Sequence, residues 1–257
     1  MTFEEYYGIG ESYYKNKEYA KALEHFKKCI SIDNYYFCLE YIGLCYLQLK
    51  QYEVAARIFQ KISEDIPELA SSRINLGRVY LYQDLLEKAF ENFIKAIDME
   101  PDNEDAYFYL GVYFGKINKY EEAKSCYKKS LSINMEQSEA HLNLGICYYN
   151  LKFFNDALHE FHLAYNYDNQ CLEARENMGL IYVEMNDYEK ALDEFLFINR
   201  MQPDDVVNIV DIAHCYCQIN DFYSAETWVK RAMTINQEDD FLITMLDMIK
   251  SSIEKED

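Results

Sequence analysis

The sequence is short of turn residues, with 3 Pro and 8 Gly in 257 positions. An all-β sandwich or barrel places turn signals about every 8–12 residues, so that class is excluded. No apolar run reaches the roughly 18 residues that a membrane-crossing helix needs. The opening stretch, Met1-Thr2-Phe3-Glu4-Glu5, has no basic region followed by an apolar segment. No secretory signal is read there, and a cytoplasmic location is expected. The 8 Cys are then expected as reduced thiols rather than a disulfide framework. Positive charge is scarce: 25 Lys and Arg stand against 45 Asp and Glu, a formal net charge of -20. Nucleic acid and anionic membrane bind through neutralisation of their own negative groups, so neither is expected as a partner. Part of the acid solvates a long surface. The rest favours a protein or peptide partner with basic residues.

Signs of catalysis are missing as well. The recurring glycines lie 33 or 34 residues apart inside helical patterns, so no Gly-rich phosphate loop is present. No serine sits in a nucleophile elbow. His159 and His162 are three apart on one helix face, a spacing that can ligate a metal, but only Glu160 or Asp156 lies near as a third ligand. Cys45, Cys147 and Cys215 share one register, and with Cys29 and Cys38 they occupy small slots where Cys acts as a compact hydrophobe. No catalytic residue, metal site or cofactor is expected.

What the sequence has is a period. Gly10, Gly43, Gly77, Gly111, Gly145 and Gly179 are spaced by 33, 34, 34, 34 and 34 residues, and a further step of 34 lands on Ala213. Twelve residues after each comes an alanine: Ala22, Ala55, Ala89, Ala123, Ala157, Ala191 and Ala225. Sixteen after come Phe26, Phe59, Phe93, Tyr127, Phe161, Phe195 and Val229. Pro67, Pro101 and Pro203 all fall twenty-four after. Within one period, Tyr107, Leu110, Gly111 and Phe114 mark one helical face, and Ala123, Tyr127, Ser130 and Leu131 mark a second. Asn118 and Lys119 break the pattern, so a turn is read there. Each period is a helical hairpin. A glycine costs about 1 kcal/mol inside a helix, so its recurrence opposite a fixed alanine predicts close helix contact there. Aromatics fill the space around that contact, which accounts for most of the 25 Tyr and 15 Phe.

The pattern resembles the tetratricopeptide repeat, a helix-turn-helix unit of about 34 residues with small residues at fixed points. The stretches NLGRVYLYQDLLEKAFENFIKAIDMEP (75–101) and NLGICYYNLKFFNDALHEFHLAYNYD (143–168) match it closely. Departures exist. The family's aromatic four before the glycine is Tyr6 and Tyr107 here, but Arg73, His141 and Arg175 in other units. Ala213 and Val229 replace the glycine and the aromatic of the seventh unit, which is expected to pack less tightly. Five before the glycine, inner units carry the small residues Cys38, Ser72, Ala106, Ala140 and Ala174, whereas the first unit has Glu5. Phe241, Leu242, Met245, Leu246 and Ile249 give a last apolar face, and Asp247 and Lys250 keep it from seating another hairpin. Both ends are expected to act as caps. The expected fold is all-α, a right-handed superhelical α-solenoid of antiparallel hairpins. Seven repeats, starting near residues 3, 36, 70, 104, 138, 172 and 206, fill 1–238, and a capping helix and acidic tail fill 239–257.

The resemblance implies that first helices line a concave, peptide-holding groove. Two before the glycine, after Gly8, come Tyr41, Asn75, Tyr109, Asn143, Asn177 and Asp211; one after it, following Glu11, come Leu44, Arg78, Val112, Ile146, Leu180 and His214. A carboxamide both donates and accepts, so an asparagine row can pair with a peptide backbone of any sequence. Asn is equally a tolerated polar residue on a helix. Another mode in the family, a clamp around a chain-terminal carboxylate, needs a basic residue and an asparagine where Tyr7 and Glu11 stand, and is not expected. The expected function is a non-catalytic scaffold or adaptor that binds a peptide segment of a partner through these twelve residues. Two other readings stay open: a structural array that forms a homo-oligomer through its terminal faces, and a regulatory subunit of an enzyme complex.

Overall fold

Helices account for 82% of the residues that the computed structural model describes, which are 1–32, 36–236 and 239–256; among them are fifteen helices and no strand. The chain divides into two compact units, Met1–Met135 and Glu136–Asp257. In the first, α1 (Phe3–Lys15) packs on α2 (Tyr19–Ile32), and α3 (Tyr36–Gln48) packs on α4 (Tyr52–Asp65). Likewise α5 (Ala70–Tyr82) packs on α6 (Leu86–Met99), and α7 (Glu104–Lys116) on α8 (Tyr120–Ile133). Hairpins join through α2 with α3, α4 with α5 and α6 with α7. In the second unit, α9 (Ser138–Asn150) packs on α10 (Phe154–Tyr167), α11 (Leu172–Glu184) on α12 (Tyr188–Met201), and α13 (Val206–Gln218) on α14 (Phe222–Ile235). There α10 meets α11, α12 meets α13, and α14 meets α15 (Asp240–Glu256). The division thus falls after the fourth hairpin. The expected boundary at 238 and Asp257 of the expected tail lie outside the described residues.

The turn inside each hairpin has one construction. A residue seven after the glycine position takes a left-handed conformation in all seven: Lys17, Lys50, Asp84, Asn118, Lys152, Asn186 and Asn220, with φ between 58° and 64°. In the first hairpin the Lys17 N–H donates to Tyr14 O and the Glu18 N–H to Tyr13 O, both at 2.9 Å. This pair of hydrogen bonds satisfies two of the last carbonyls of the first helix. Glycine usually fills such a position, because an L side chain there costs roughly 1–2 kcal/mol. The Asn and Asp copies tolerate it through local hydrogen bonding; the three lysines do not share that relief.

The core follows the period. All seven repeat alanines are fully buried, and so are Phe26, Phe59, Phe93, Phe161 and Phe195 or nearly so. Fully burying a large apolar side chain contributes about 1.5–3 kcal/mol. The glycine's partner differs from the expected one. A Cβ placed on Gly77 would come 2.5 Å from the Phe93 ring, and one on Gly145 would come 2.5 Å from the Phe161 ring. The glycine therefore makes room for the aromatic sixteen residues on, rather than for the alanine. This explains the seventh hairpin. Val229 brings no ring, so Ala213 is accommodated, and both side chains are fully buried in one cluster. The expected looseness is absent, because the two departures compensate each other.

The terminal helices carry further roles. Glu5 does more than occupy a small-residue slot: its carboxylate accepts from the Thr2 N–H at 2.9 Å, while the Glu5 N–H donates to Thr2 Oγ1 at 3.3 Å. This reciprocal box caps α1. On α15, Leu242 and Ile249 are buried against α14, but Phe241 is 62% exposed and Met248 68% exposed. Phe241 belongs to the flank of that helix rather than to its buried stripe.

Candidate functional site

The first helices present the two register positions very differently along the chain. In the first unit they are tied to one another. Tyr41 stacks on Phe26 with ring centroids 4.7 Å apart, and its hydroxyl donates to Glu11 Oε1 at 3.0 Å. Burial first, then the Glu11 carboxylate, pushes its phenol up. Asn75 is 5% exposed rather than open to solvent. Its Nδ2 donates to Glu40 Oε1 at 3.1 Å, and its Oδ1 accepts from Arg78 Nη1 at 2.8 Å. The Arg78 guanidinium lies 4.4 Å from the centre of the Tyr109 ring. Leu44 and Val112 are half-buried against the surrounding aromatic cluster. Asn75, Arg78 and Tyr109 are thus brought together, and most of the polar capacity of Tyr41, Asn75 and Arg78 is spent within the unit.

In the second unit the same positions stay open. Asn143 and Asn177 are half-buried, and each donates Nδ2 only to its own helix, to the carbonyls of Glu139 and Glu173 at 2.8 Å. Among the described residues neither carboxamide oxygen has a hydrogen bond. Ile146 is half-buried, Leu180 is 37% exposed, and His214 is exposed with its ring 3.1 Å from Gln218 Nε2. Asp211 is half-buried with no hydrogen bond or ion pair among the described residues. Burial, then the carboxylates of Glu176 and Asp205, pushes it up to about 6. Burial, with Asp205 and Glu173 adding, also raises Glu176.

Asn208 was outside the expected site. It stands five before Ala213, in the slot that inner units fill with Cys38, Ser72, Ala106, Ala140 and Ala174. A carboxamide in a slot reserved for small residues is the signal that sequence reading could have used. Asn208 is 5% exposed, its Nδ2 donates to Phe195 O at 3.0 Å, and its buried Oδ1 has no partner. Asp205 lies beside it, accepting from the Val207 and Asn208 N–H groups as the cap of α13.

Other singled-out residues have structural work. Arg175 pairs with Glu194 at 2.6 Å and lies over the rings of Tyr165 and Phe197 at 4.2 and 3.9 Å. His141 meets Glu160 at 2.7 Å and stacks on Tyr167. Both thus replace the family aromatic with a planar group that packs. All eight cysteines are free thiols, and burial pushes Cys45 and Cys215 up to about 12 and Cys126 to about 11. Such thiols hold little reactive thiolate. His159 and His162 are exposed, and no group of three metal-ligating side chains converges among the described residues. No described helix is long and apolar enough to cross a membrane.

Family models for the tetratricopeptide repeat match residues 3–36, 38–68, 70–103, 92–125 and 172–204, more than half of the chain. The chain belongs to the tetratricopeptide repeat family. Members of this family are protein-interaction scaffolds and are typically non-catalytic. Among curated relatives, an uncharacterized protein ycf37 of Cyanophora paradoxa is 28% identical over 110 residues, which cover 41% of this chain and 64% of that protein. The protein CTR9 homolog of Arabidopsis thaliana is 29% identical over 111 residues, 41% of this chain and 10% of that protein. The match thus spans under two thirds of either relative. Among solved structures, PilW, a type IV pilus biogenesis factor, superposes with a TM-score of 0.72 at 17% identity, over 82% of this chain and 98% of that one. YrrB, described as having an unusual peptide-binding site, superposes with a TM-score of 0.64 at 24% identity, over 76% of this chain and 99% of that one. At these identities the likeness shows the fold alone.

Proposed function

We propose that this tetratricopeptide array is a non-catalytic adaptor that holds a segment of a partner protein on the first-helix faces of its second unit. The observation that carries this reading is the open state of Asn143, Asn177 and Asp211, against the tied state of Asn75 and Tyr41. A carboxamide anchored by its N–H to its own helix offers its oxygen to a peptide N–H, and Leu180 and Ile146 supply apolar contact beside it. The acid of the chain suits a basic segment, and nucleic acid and membrane surfaces are disfavoured by the same field. Seven repeats and a capping last helix in a cytoplasmic protein complete the proposal. An affinity on the order of micromolar, about −8 kcal/mol, is expected for a segment that must be ordered on binding.

The test is calorimetric titration of a partner recovered by affinity capture, at low and high salt. Replacing Asn143 and Asn177 together by Ala should weaken binding by about 1–3 kcal/mol and leave the helix signal unchanged. Unchanged affinity in that variant would remove the asparagines from the site. A second reading, self-assembly through terminal faces, draws on the exposed Phe241, Ile243 and Met248 of α15. Light scattering over a dilution series separates the two, because only self-assembly makes the mass depend on concentration.

A further inference from the structure

Two recesses adjoin in the second unit and share Asp211. One, about 30 Å³, is lined by Leu172, Glu176, Ile198, Gln202, Asp205, Asn208 and Asp211. That is room for about one small group. The other, about 390 Å³, lies between α13 and α15 and is largely apolar, with Val210, Phe241, Met245 and Met248 in its wall. No lysine or arginine lines either recess. The smaller one holds three carboxylates and an orphaned carboxamide oxygen. The Asn208 Nδ2 bond to Phe195 O fixes that amide, because a carbonyl only accepts and so must face the N–H side. Oδ1 is thereby left buried and unpartnered, on a residue that lines the acidic recess. The recess thus presents mainly acceptors, with no lysine or arginine of this chain among its lining residues.

Resting on the adaptor reading above, we propose that the acidic recess receives a lysine or arginine side chain of the partner protein, and that a bulky apolar neighbour of that residue seats against Met245 and Met248. An ammonium or guanidinium carries donors only, which matches the acceptors of Glu176, Asp205, Asn208 and Asp211. A bound metal ion is a poorer fit, since it requires several oxygens at roughly 2.0–2.6 Å, and no three His, Cys, Asp or Glu side chains among the described residues, these carboxylates included, are placed to hold one. The adjoining methionine wall distinguishes a protein side chain from a free small cation, because thioether surfaces adapt to varied apolar groups. Burial of Asp211 and Glu176, with neighbouring carboxylates adding, raises the affinity of these two groups for any positive charge that enters.

The test uses the full chain, labelled with nitrogen-15, and follows the Asn208 side-chain amide by NMR. The probes are n-butylammonium, sodium as its control, and blocked peptides on a Gly-Ser background. One peptide carries a lysine beside a leucine; a second replaces the lysine by norleucine. The lysine peptide should shift the Asn208 amide saturably and bind about tenfold or more tighter than the norleucine peptide. Both that preference and the n-butylammonium shift should vanish in the double variant Glu176→Gln, Asp211→Asn, whose fold circular dichroism verifies. Equal affinity for the two peptides overturns the proposal, as does a preference that survives in the double variant, or an n-butylammonium response no larger than that of sodium. A partner captured by the wild-type chain and held equally well by the double variant also overturns it, while leaving the adaptor reading intact. Capture of no partner beside a saturable lysine response has the opposite meaning: the recess stands and the adaptor reading falls.

Discussion

Replacing Asp211 by Asn should stabilise the second unit at neutral pH, and the pH dependence of that gain is the sharper test. Burial and the carboxylates of Glu176 and Asp205 push Asp211 from 3.8 up to about 6. A group whose folded pKa lies above its unfolded value binds its proton more tightly when folded. Its ionised form therefore disfavours folding. The cost is absent below the unfolded value, grows as pH rises from about 4 to about 6, and is fully present above that. A shift of about two units corresponds to about 3 kcal/mol at 1.36 kcal/mol per unit. Asp211 is only half-buried, so solvent screening reduces the expected figure to about 1–2 kcal/mol. Asn has nearly the same shape and no charge. Wild type and Asp211→Asn should thus be equally stable near pH 3.5 to 4, and the variant should lead by about 1–2 kcal/mol at about pH 7.5. Urea unfolding followed by far-ultraviolet circular dichroism at both pH values reads the difference as a shift in midpoint. A variant no more stable than wild type at neutral pH would refute the reasoning. So would a gain of equal size at both pH values, because that would come from packing rather than charge.

Three other substitutions probe the scaffold, each by thermal or urea unfolding. Gly77→Ala should destabilise by about 1–3 kcal/mol, because its Cβ would stand 2.5 Å from the fully buried Phe93 ring; a gain would mean that the ring can yield. Lys50→Gly should stabilise by about 0.5–1 kcal/mol, since it relieves the left-handed conformation at φ 58° at some cost in unfolded-chain entropy. Val229→Phe should be destabilising alone but much better tolerated with Ala213→Gly, with a coupling of about 0.5–3 kcal/mol. Additive effects would show that the two positions do not meet as the cluster around them indicates.

The period, the hairpins and the alanine slots were legible because packing demands the same residue types in every copy. Their geometry was less so. Positions twelve and sixteen after the glycine are four apart and share one face of the second helix, so spacing alone could not say which of them meets the glycine. The turn was readable from the break in pattern, but its left-handed residue was not. That position holds Lys, Asp or Asn and never the glycine that would announce it. Asn75, Asn143 and Asn177 look alike in sequence, yet Asn75 is covered by Glu40 and Arg78, side chains whose reach across helices no spacing encodes. Asn208 was visible as an odd residue in a small slot. Its meaning required the Phe195 carbonyl and the acidic walls around it.

Repetition itself separates scaffold from site. Where one copy packs on the next, a change costs stability unless a second change answers it, as Val229 answers Ala213. Positions on the first-helix face escape that constraint, so they are free to differ. In the first unit the differences resolve into internal pairs, Tyr41 with Glu11 and Asn75 with Glu40 and Arg78. Such pairs add to stability and leave little to offer a ligand. In the second unit Asp211 makes no such pair among the described residues, and the Oδ1 of Asn208, in the packing slot of the same helix, has no partner. A buried carboxamide oxygen without a partner and a carboxylate pushed up to about 6 by burial and by its like-charged neighbours are each unfavourable for folding. Substitutions that remove such costs are easily found, so groups that keep them are candidates for function. Both groups belong to α13 residues that line one recess between α11, α12 and α13, and α13 also departs from the repeat at Asn208 and Ala213. The departure from the period and the unfavourable chemistry thus mark the same few residues, and a cationic side chain arriving from a partner would answer both costs at once.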